Sequence, residues 1–218
     1  MIKRKQQIIP PGALSARNMA DHCTACQLCV NSCPNQVLRP SDKLETFMQP
    51  VMSYEHGFCR SNCNTCSQVC PAGAIRPISL EKKVSVQVGH AVWIAANCVV
   101  NTDGVSCGNC ERHCPNGAIM MVPKDKNNPD SLKIPVVDTE RCIGCGACEH
   151  ACPVTTERPE ERARLNTCNL CEEKCEFKKR REMPPRALVV RAVNPQQKAV
   201  KKFEEKAVDP VGDADFPF

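Results

Sequence analysis

The apolar positions of this chain fall in short segments that recur around polar loops. Gln49-Pro-Val-Met-Ser-Tyr54, Ala91-Val-Trp-Ile-Ala95 and Ile134-Pro-Val-Val137 each lead into a loop, while Gln36-Val-Leu38, Ala74-Ile75 and Ala118-Ile-Met-Met-Val122 each follow one. Runs of this length bounded by turn-forming residues read as strands. Each repeat therefore predicts an approach strand, a loop, a single turn of helix and a return strand. The polar, turn-rich stretch Pro123-Lys-Asp-Lys-Asn-Asn-Pro-Asp130 predicts an exposed hairpin tip. No apolar run nears the roughly 18 to 20 residues that span a membrane, so no transmembrane segment is expected. Met1-Ile-Lys-Arg-Lys5 has no hydrophobic region after it and reads as lacking an export signal.

The loops carry cysteine. Nineteen of 218 residues are cysteine, and sixteen form four runs: Cys23, Cys26, Cys29, Cys33; Cys59, Cys63, Cys66, Cys70; Cys98, Cys107, Cys110, Cys114; and Cys142, Cys145, Cys148, Cys152. Each run ends in Cys-x3-Cys-Pro, closed by Pro34, Pro71, Pro115 or Pro153. The first and fourth match C-x2-C-x2-C-x3-C-P throughout, the bacterial signature for cubane iron–sulfur clusters. Three thiolates on one tight loop cover three corners of a cube, and the cysteine before proline reaches across to a second cluster. The sixteen cysteines thus imply four [4Fe-4S] clusters and an electron carrier. Successive runs begin 36, 39 and 44 residues apart, a repeat period.

Other uses of these cysteines fit poorly. Structural zinc takes two separated Cys-x2-4-Cys pairs and has no use for a third Cys at x2 spacing with Cys-Pro behind it. A disulfide framework suits a short secreted chain with an even cysteine count. Composition agrees: hydrophobic residues make 42 % including the cysteines, and aromatics only 4 %. Clusters must replace the thin organic core, so metal binding is folding free energy. The formal charge of +5 counts cysteine as neutral; oxidised cubanes contribute about −2 each and bring the loaded chain nearer −3. A nucleic-acid partner is not indicated. No nucleophile–base set or phosphate loop stands out, so no catalytic residue is expected.

Two runs depart from the ideal. Cys59-x3-Cys63 is one residue long, and Cys98-x8-Cys107 carries six extra residues around Asn101-Thr-Asp-Gly104. An enlarged loop of this kind sits on the surface, either as a tolerated insertion or as a lip that shields a cluster or docks a partner.

With Pro10-Pro-Gly-Ala-Leu14 before Cys23-Thr-Ala-Cys-Gln-Leu-Cys, then Cys66-Ser-Gln-Val-Cys-Pro-Ala-Gly-Ala-Ile75, Cys107-Gly-Asn-Cys-Glu-Arg-His-Cys-Pro115 and Cys142-Ile-Gly-Cys-Gly-Ala-Cys, residues 8 to 156 resemble the soluble four-cluster ferredoxins of periplasmic nitrate reduction and methylamine utilisation. The resemblance implies electron relay between a membrane-bound quinol dehydrogenase or polyferredoxin and a terminal redox enzyme. It also implies the periplasmic side of the membrane, whereas the missing leader leaves the cytoplasm open. The chain further resembles iron–sulfur subunits of molybdopterin oxidoreductases, whose runs pair in nested fashion. Carried over, the ligand sets are Cys23, Cys26, Cys29 with Cys152; Cys142, Cys145, Cys148 with Cys33; Cys59, Cys63, Cys66 with Cys114; and Cys98, Cys107, Cys110 with Cys70. Nesting is preferred to sequential pairing, which spacing alone leaves open.

The expected fold class is α+β: two ferredoxin-like two-cluster modules with short strands and helices, rich in loops. Residues 1–20 are expected to be an N-terminal extension, 21–156 the four-run region with runs one and four and runs two and three as modules, 157–186 an insertion, and 187–218 a return strand, short helix and tail. Ala187-Leu-Val-Val190 supplies the return strand and the sequence after Asn194 the helix.

The insertion holds Cys168, Cys171 and Cys175, three thiolates without a fourth cysteine or a proline. Four readings compete: a fifth cluster with a non-cysteine or partner-supplied ligand; zinc with a histidine or carboxylate; a three-iron cluster or ligand exchange with a neighbouring run; and unligated thiols. His150 and His22 are the internal candidates for a fourth ligand. Lys178-Lys-Arg-Arg181 reads as a solvated helix face or a basic patch for an acidic partner or anionic membrane. The principal functional reading is an electron relay. The alternatives are a permanent iron–sulfur subunit of a larger oxidoreductase and a cluster-delivery or maturation protein.

Overall fold

In the computed structural model, residues 6–154 and 186–200 are described. Two modules follow one another along the chain. The first comprises helix α1 (Ala16–His22), the single turn α2 (Leu28–Asn31), strands β1 (Leu38–Pro40) and β2 (Pro50–Met52), and the turn α3 (Thr65–Gln68). A turn of helix, α4 (Leu80–Lys83), links it to the second. The second contains β3 (Val86–Trp93), α5 (Val99–Thr102), α6 (Asn109–Arg112), β4 (Ile119–Pro123), β5 (Lys133–Val137), α7 (Ala147–His150) and β6 (Leu188–Lys198). The α+β expectation holds at this level: short strands, single-turn helices and much loop.

The strands settle which runs are neighbours. β1 pairs antiparallel with β2, Leu38 opposite Met52, and β4 with β5, Ile119 opposite Val137. These hairpins join run one to run two and run three to run four, each through nine connecting residues. β3 before run three pairs antiparallel with β6 beyond run four, Trp93 opposite Leu188, and so closes the second module on itself. The nested order of modules is therefore corrected to a sequential one. The reason is local: a short hairpin between consecutive runs keeps them side by side, and β6 returns to its own module.

Four further expectations are corrected or refined. Residues 8–20 are no extension, because Ile8, Ala13 and Met19 are buried with Val37, Tyr54, Ile75 and Cys29 in the first module's core. The hydroxyl of Ser15 caps α1 by accepting from the Asn18 amide. Ala74-Ile75 is buried but forms no strand; the Ala74 carbonyl accepts from Asn18 Nδ2 at 2.9 Å and the Ile75 amide points at a cysteine sulfur. Residues 194–198 extend β6 and are not helical. There Gln196 donates from Nε2 to the Pro10 carbonyl at 2.7 Å and accepts from the Gly12 amide at 3.1 Å, tying the last strand to the first segment. The approach strand Ala91–Ala95 begins earlier, at Val86.

Residues 124–132 form the expected exposed hairpin tip, closed by the Lys124 amide on the Leu132 carbonyl. The enlarged loop of run three starts as α5, with Val100 buried among Cys98, Cys152 and Ala187, and residues 102–106 are exposed. Cys168, Cys171, Cys175 and Lys178–Arg181 lie outside the described residues. Among the described residues no helix is long and apolar enough to cross a membrane.

Candidate iron–sulfur cluster sites

Each run wraps its first three thiols around a loop that ends in a single helical turn. In runs one and four the loop needs two left-handed residues, one on either side of the second cysteine. Gly144 (φ +74°) and Gly146 (φ +80°) serve in run four, Ala25 (φ 55°) and Gln27 (φ 64°) in run one. Run four has no alternative to glycine at either place. A Cβ on Gly144 would lie 2.6 Å from the Gly89 backbone, and one on Gly146 2.1 Å from the Tyr54 ring.

The fourth thiol of each group comes from the neighbouring run. One pocket is lined by Cys23, Cys26, Cys29 and Cys70 and a second by Cys142, Cys145, Cys148 and Cys114. Electrostatic neighbours agree. Burial, with the adjacent thiols of Cys23, Cys70 and Cys26, pushes the Cys29 thiol up to about 11. Burial and Cys59, with smaller contributions from Cys29 and Cys33, push Cys66 up to about 12 against an opposing effect of Lys83. Burial raises Cys110 to about 11, with Cys107 and Cys152 close by. It raises Cys148 as well, next to Cys145, Cys142 and Cys114. Cys63 is lowered, because Thr65, Lys83 and Arg60 together outweigh its burial. The structure thus brings together Cys70 with run one, Cys33 with run two, Cys152 with run three and Cys114 with run four. It does not bring Cys152 to Cys23 or Cys33 to Cys142, as nesting required.

These quartets suit a multi-atom inorganic group. Among the described residues no three His, Cys, Asp or Glu side chains gather tightly enough for a single metal ion, so the thiols are spread wider than mononuclear zinc needs. Crowded thiols with raised proton affinity lose their protons to metal on loading. Backbone amides aim at the sulfurs: Val37 N–H at Cys33 Sγ (3.4 Å), Ile75 at Cys70 (3.4 Å), Ala118 at Cys114 (3.2 Å) and Ala91 at Cys142 (3.4 Å). Such bonds favour the more negative form of a sulfur site. Trp93 packs against both buried groups of the second module, and its Nε1–H is buried without an acceptor among the described residues. A donor left without oxygen fits a site whose acceptors are sulfides. Where the four groups fit, Cys23, Cys26, Cys29, Cys33, Cys59, Cys63, Cys66, Cys70, Cys98, Cys107, Cys110, Cys114, Cys142, Cys145, Cys148 and Cys152 are the available ligands.

The modules touch at run two and run four. The Cys59 amide donates to the Cys145 carbonyl at 2.9 Å. Tyr54, 1 % exposed, lies on Gly146 and donates its hydroxyl to the Gly144 carbonyl at 2.5 Å. His150 Nδ1 is 3.4 Å from the Tyr54 carbonyl, and its ring lies 6.1 Å from that of Phe58. His22 is exposed and bonds the Asn18 carbonyl. Lys83, Tyr54 and Trp93 all escape sequence reading. Lys83 stands in a charged stretch that looks like surface helix, and the aromatics have no motif around them.

The fold and the four thiol groups define a ferredoxin-type iron–sulfur protein made of two dicluster modules. The 4Fe-4S dicluster domain matches the chain twice, at residues 22–74, which hold runs one and two, and at residues 105–156, which hold run four and all of run three but Cys98, and two such domains imply four [4Fe-4S] clusters. The methylamine utilization ferredoxin-type protein MauM of Methylobacillus flagellatus is 32 % identical over 151 residues, 66 % of this chain and 62 % of that protein. MauM of Methylophilus methylotrophus is 33 % identical over 66 % of this chain and 65 % of its own length. The ferredoxin-type protein NapF of Escherichia coli is 27 % identical over 70 % of this chain and 84 % of its own length. The matched part of the chain thus spans somewhat under two thirds of the MauM proteins. The chain is thus similar to these ferredoxin-type proteins and carries the 4Fe-4S dicluster domain twice.

Proposed function

We propose that this chain relays single electrons through four [4Fe-4S] clusters, held by Cys23, Cys26, Cys29 and Cys70; by Cys59, Cys63, Cys66 and Cys33; by Cys142, Cys145, Cys148 and Cys114; and by Cys98, Cys107, Cys110 and Cys152. Each cluster would cycle between two states one electron apart. The protein supplies thiolates, directed amides and a water-poor setting, and no catalytic group is assigned. The observation that carries the reading is the hydrogen bond from Cys59 to Cys145. It abuts the ligand loops of the two middle groups, so the four stand in a series with run one's group at one end and run three's at the other. Cys26 is exposed, with Leu44 at 92 % and Phe47 at 63 % exposure on the neighbouring β1–β2 connection, which suits that end to an electron-exchanging partner.

The partners proposed are a membrane quinol-linked iron–sulfur protein on one side and a terminal redox enzyme on the other. Cys168, Cys171 and Cys175 are proposed to hold a separate metal centre, a fifth cluster or zinc. Anaerobic iron, sulfide and zinc quantification on the whole chain tests the cluster count. About sixteen irons and sixteen sulfides in the four groups are expected, whereas a plateau near eight in folded protein defeats the reading.

A further inference from the structure

Lys83 belongs to no cysteine run, stands in the α4 turn that links the modules, and is 5 % exposed. Its Nζ donates to the backbone carbonyls of Arg60 and Cys63, and its charge opposes the burial that raises the Cys59 thiol. Both carbonyl acceptors come from the loop of run two, and the ammonium, with three N–H groups, keeps a further donor to offer there. That loop is the one whose first two cysteines are separated by three residues rather than by two with no long insertion. Among the described residues no carboxylate lies within ion-pair distance of Lys83. A buried cation is costly unless an anion or several directed dipoles face it. The carbonyls supply dipoles; the anion is what the thiolates of Cys59, Cys63, Cys66 and Cys33 carry.

We propose that Lys83 tunes one site of the relay, raising the reduction potential of the cluster ligated by Cys59, Cys63, Cys66 and Cys33 so that an electron is held where the two modules meet. The inference rests on the ligand sets proposed above. Reduction by a neighbouring one-electron donor takes this site, thiolates included, from about −2 to about −3; no bond forms or breaks. A fixed positive charge bound to the backbone carbonyl of the ligand residue Cys63 favours the more negative state, and burial keeps solvent and salt from screening it. The position matters because Cys59 also donates its amide across the junction to Cys145. The same residue thus sits beside the thiol and the backbone contact that link run two to run four.

The test is an anaerobic redox titration of the full chain followed by electron paramagnetic resonance, on the parent and on Lys83→Met, Lys83→Gln and Lys83→Arg. Iron and sulfide are counted on every sample. Met removes charge and donor, Gln removes charge but keeps a donor, and Arg keeps charge. In both neutral variants one cluster becomes at least tenfold harder to reduce, a fall of about 59 mV for one electron, while the other three keep their potentials and Arg restores most of the shift. Cys63→Ser in the parent identifies the affected signal as that of run two. A protein with four clusters whose potentials all stay within threefold of the parent's overturns the proposal, as does a uniform shift of all four or a shift confined to another run. Neutral variants that load fewer irons than the parent and Arg variant also overturn it, since Lys83 is then a support for the loop. A parent that never holds four clusters instead sinks the ligand assignment on which the inference stands.

Discussion

Gly146→Ala probes the contact that joins the two modules. At φ +80° an alanine is in the left-handed region, which costs about 1–2 kcal/mol. Its Cβ would also stand 2.1 Å from Tyr54 Cδ1 and 2.5 Å from Cε1, deep inside van der Waals contact. Tyr54 cannot easily yield, because it is 1 % exposed and its hydroxyl is fixed to the Gly144 carbonyl. Overpacking a filled site adds about 1–3 kcal/mol, so the whole change is destabilising by about 2–5 kcal/mol. At roughly 2–4 °C per kcal/mol for a chain of this size, a loss of about 3 kcal/mol lowers the midpoint by roughly 6–12 °C. Cluster loss makes unfolding irreversible, so the midpoint is read anaerobically from the visible charge-transfer absorbance at one scan rate for parent and variant. Tyr54→Ala completes a double-mutant cycle: with the ring gone only the backbone cost remains, and the two changes together lose at least about 1 kcal/mol less than their sum. An alanine at 146 that leaves the midpoint within about 2 °C refutes the reasoning, because the ring would not then rest on this Cα.

Ala25→Gly relieves the matching left-handed position in run one, where no partner ring interferes; its effect lies between neutral and about 1 kcal/mol stabilising, measured by the same melt. Tyr54→Phe leaves the Gly144 carbonyl without its donor and lowers stability by about 1 kcal/mol, with iron content unchanged. Gln196→Ala removes two hydrogen bonds between β6 and the segment at Pro10–Gly12 and costs about 1–2 kcal/mol; increased proteolytic cleavage in the first twenty residues reports it. Replacing Cys168, Cys171 and Cys175 together by serine removes one metal centre and spares the other four, checked by iron and zinc per chain; equal metal content in parent and variant makes these thiols bystanders.

Much of the chemistry was legible in the chain. The four Cys-x3-Cys-Pro endings marked the four cysteine loops, and the turn-rich stretch 123–130 marked the hairpin of β4 and β5, whereas the pairing of β1 with β2 across residues 41–49 was not read. Pairing was not legible, because spacing shows which three thiols share a loop but not which run lends the fourth. That choice follows from hydrogen bonds between strands distant in sequence, above all β3 with β6. The segment 194–198 looked helical by its Gln and Lys content, yet Gln196 and Asn194 spend their side chains on the first segment and hold the backbone extended. Residues 1–20 were expected to be an N-terminal extension; burial of Ile8 and Met19 in the first module's core was visible only in three dimensions. Lys83 was hidden for a similar reason. A lysine in a Leu-Glu-Lys-Lys turn reads as solvent-facing until the loop of run two is seen folded over it.

The sequential exchange of ligands is tested most directly by paramagnetic NMR of Cys33→Ala with the cysteine β-protons assigned run by run. The Cys33 sulfur lies with Cys59 and Cys66, so the shifted signals of Cys59, Cys63 and Cys66 should move or vanish while those of Cys142, Cys145 and Cys148 stay in place. Loss of the Cys142, Cys145 and Cys148 signals, with Cys59, Cys63 and Cys66 untouched, would contradict the account.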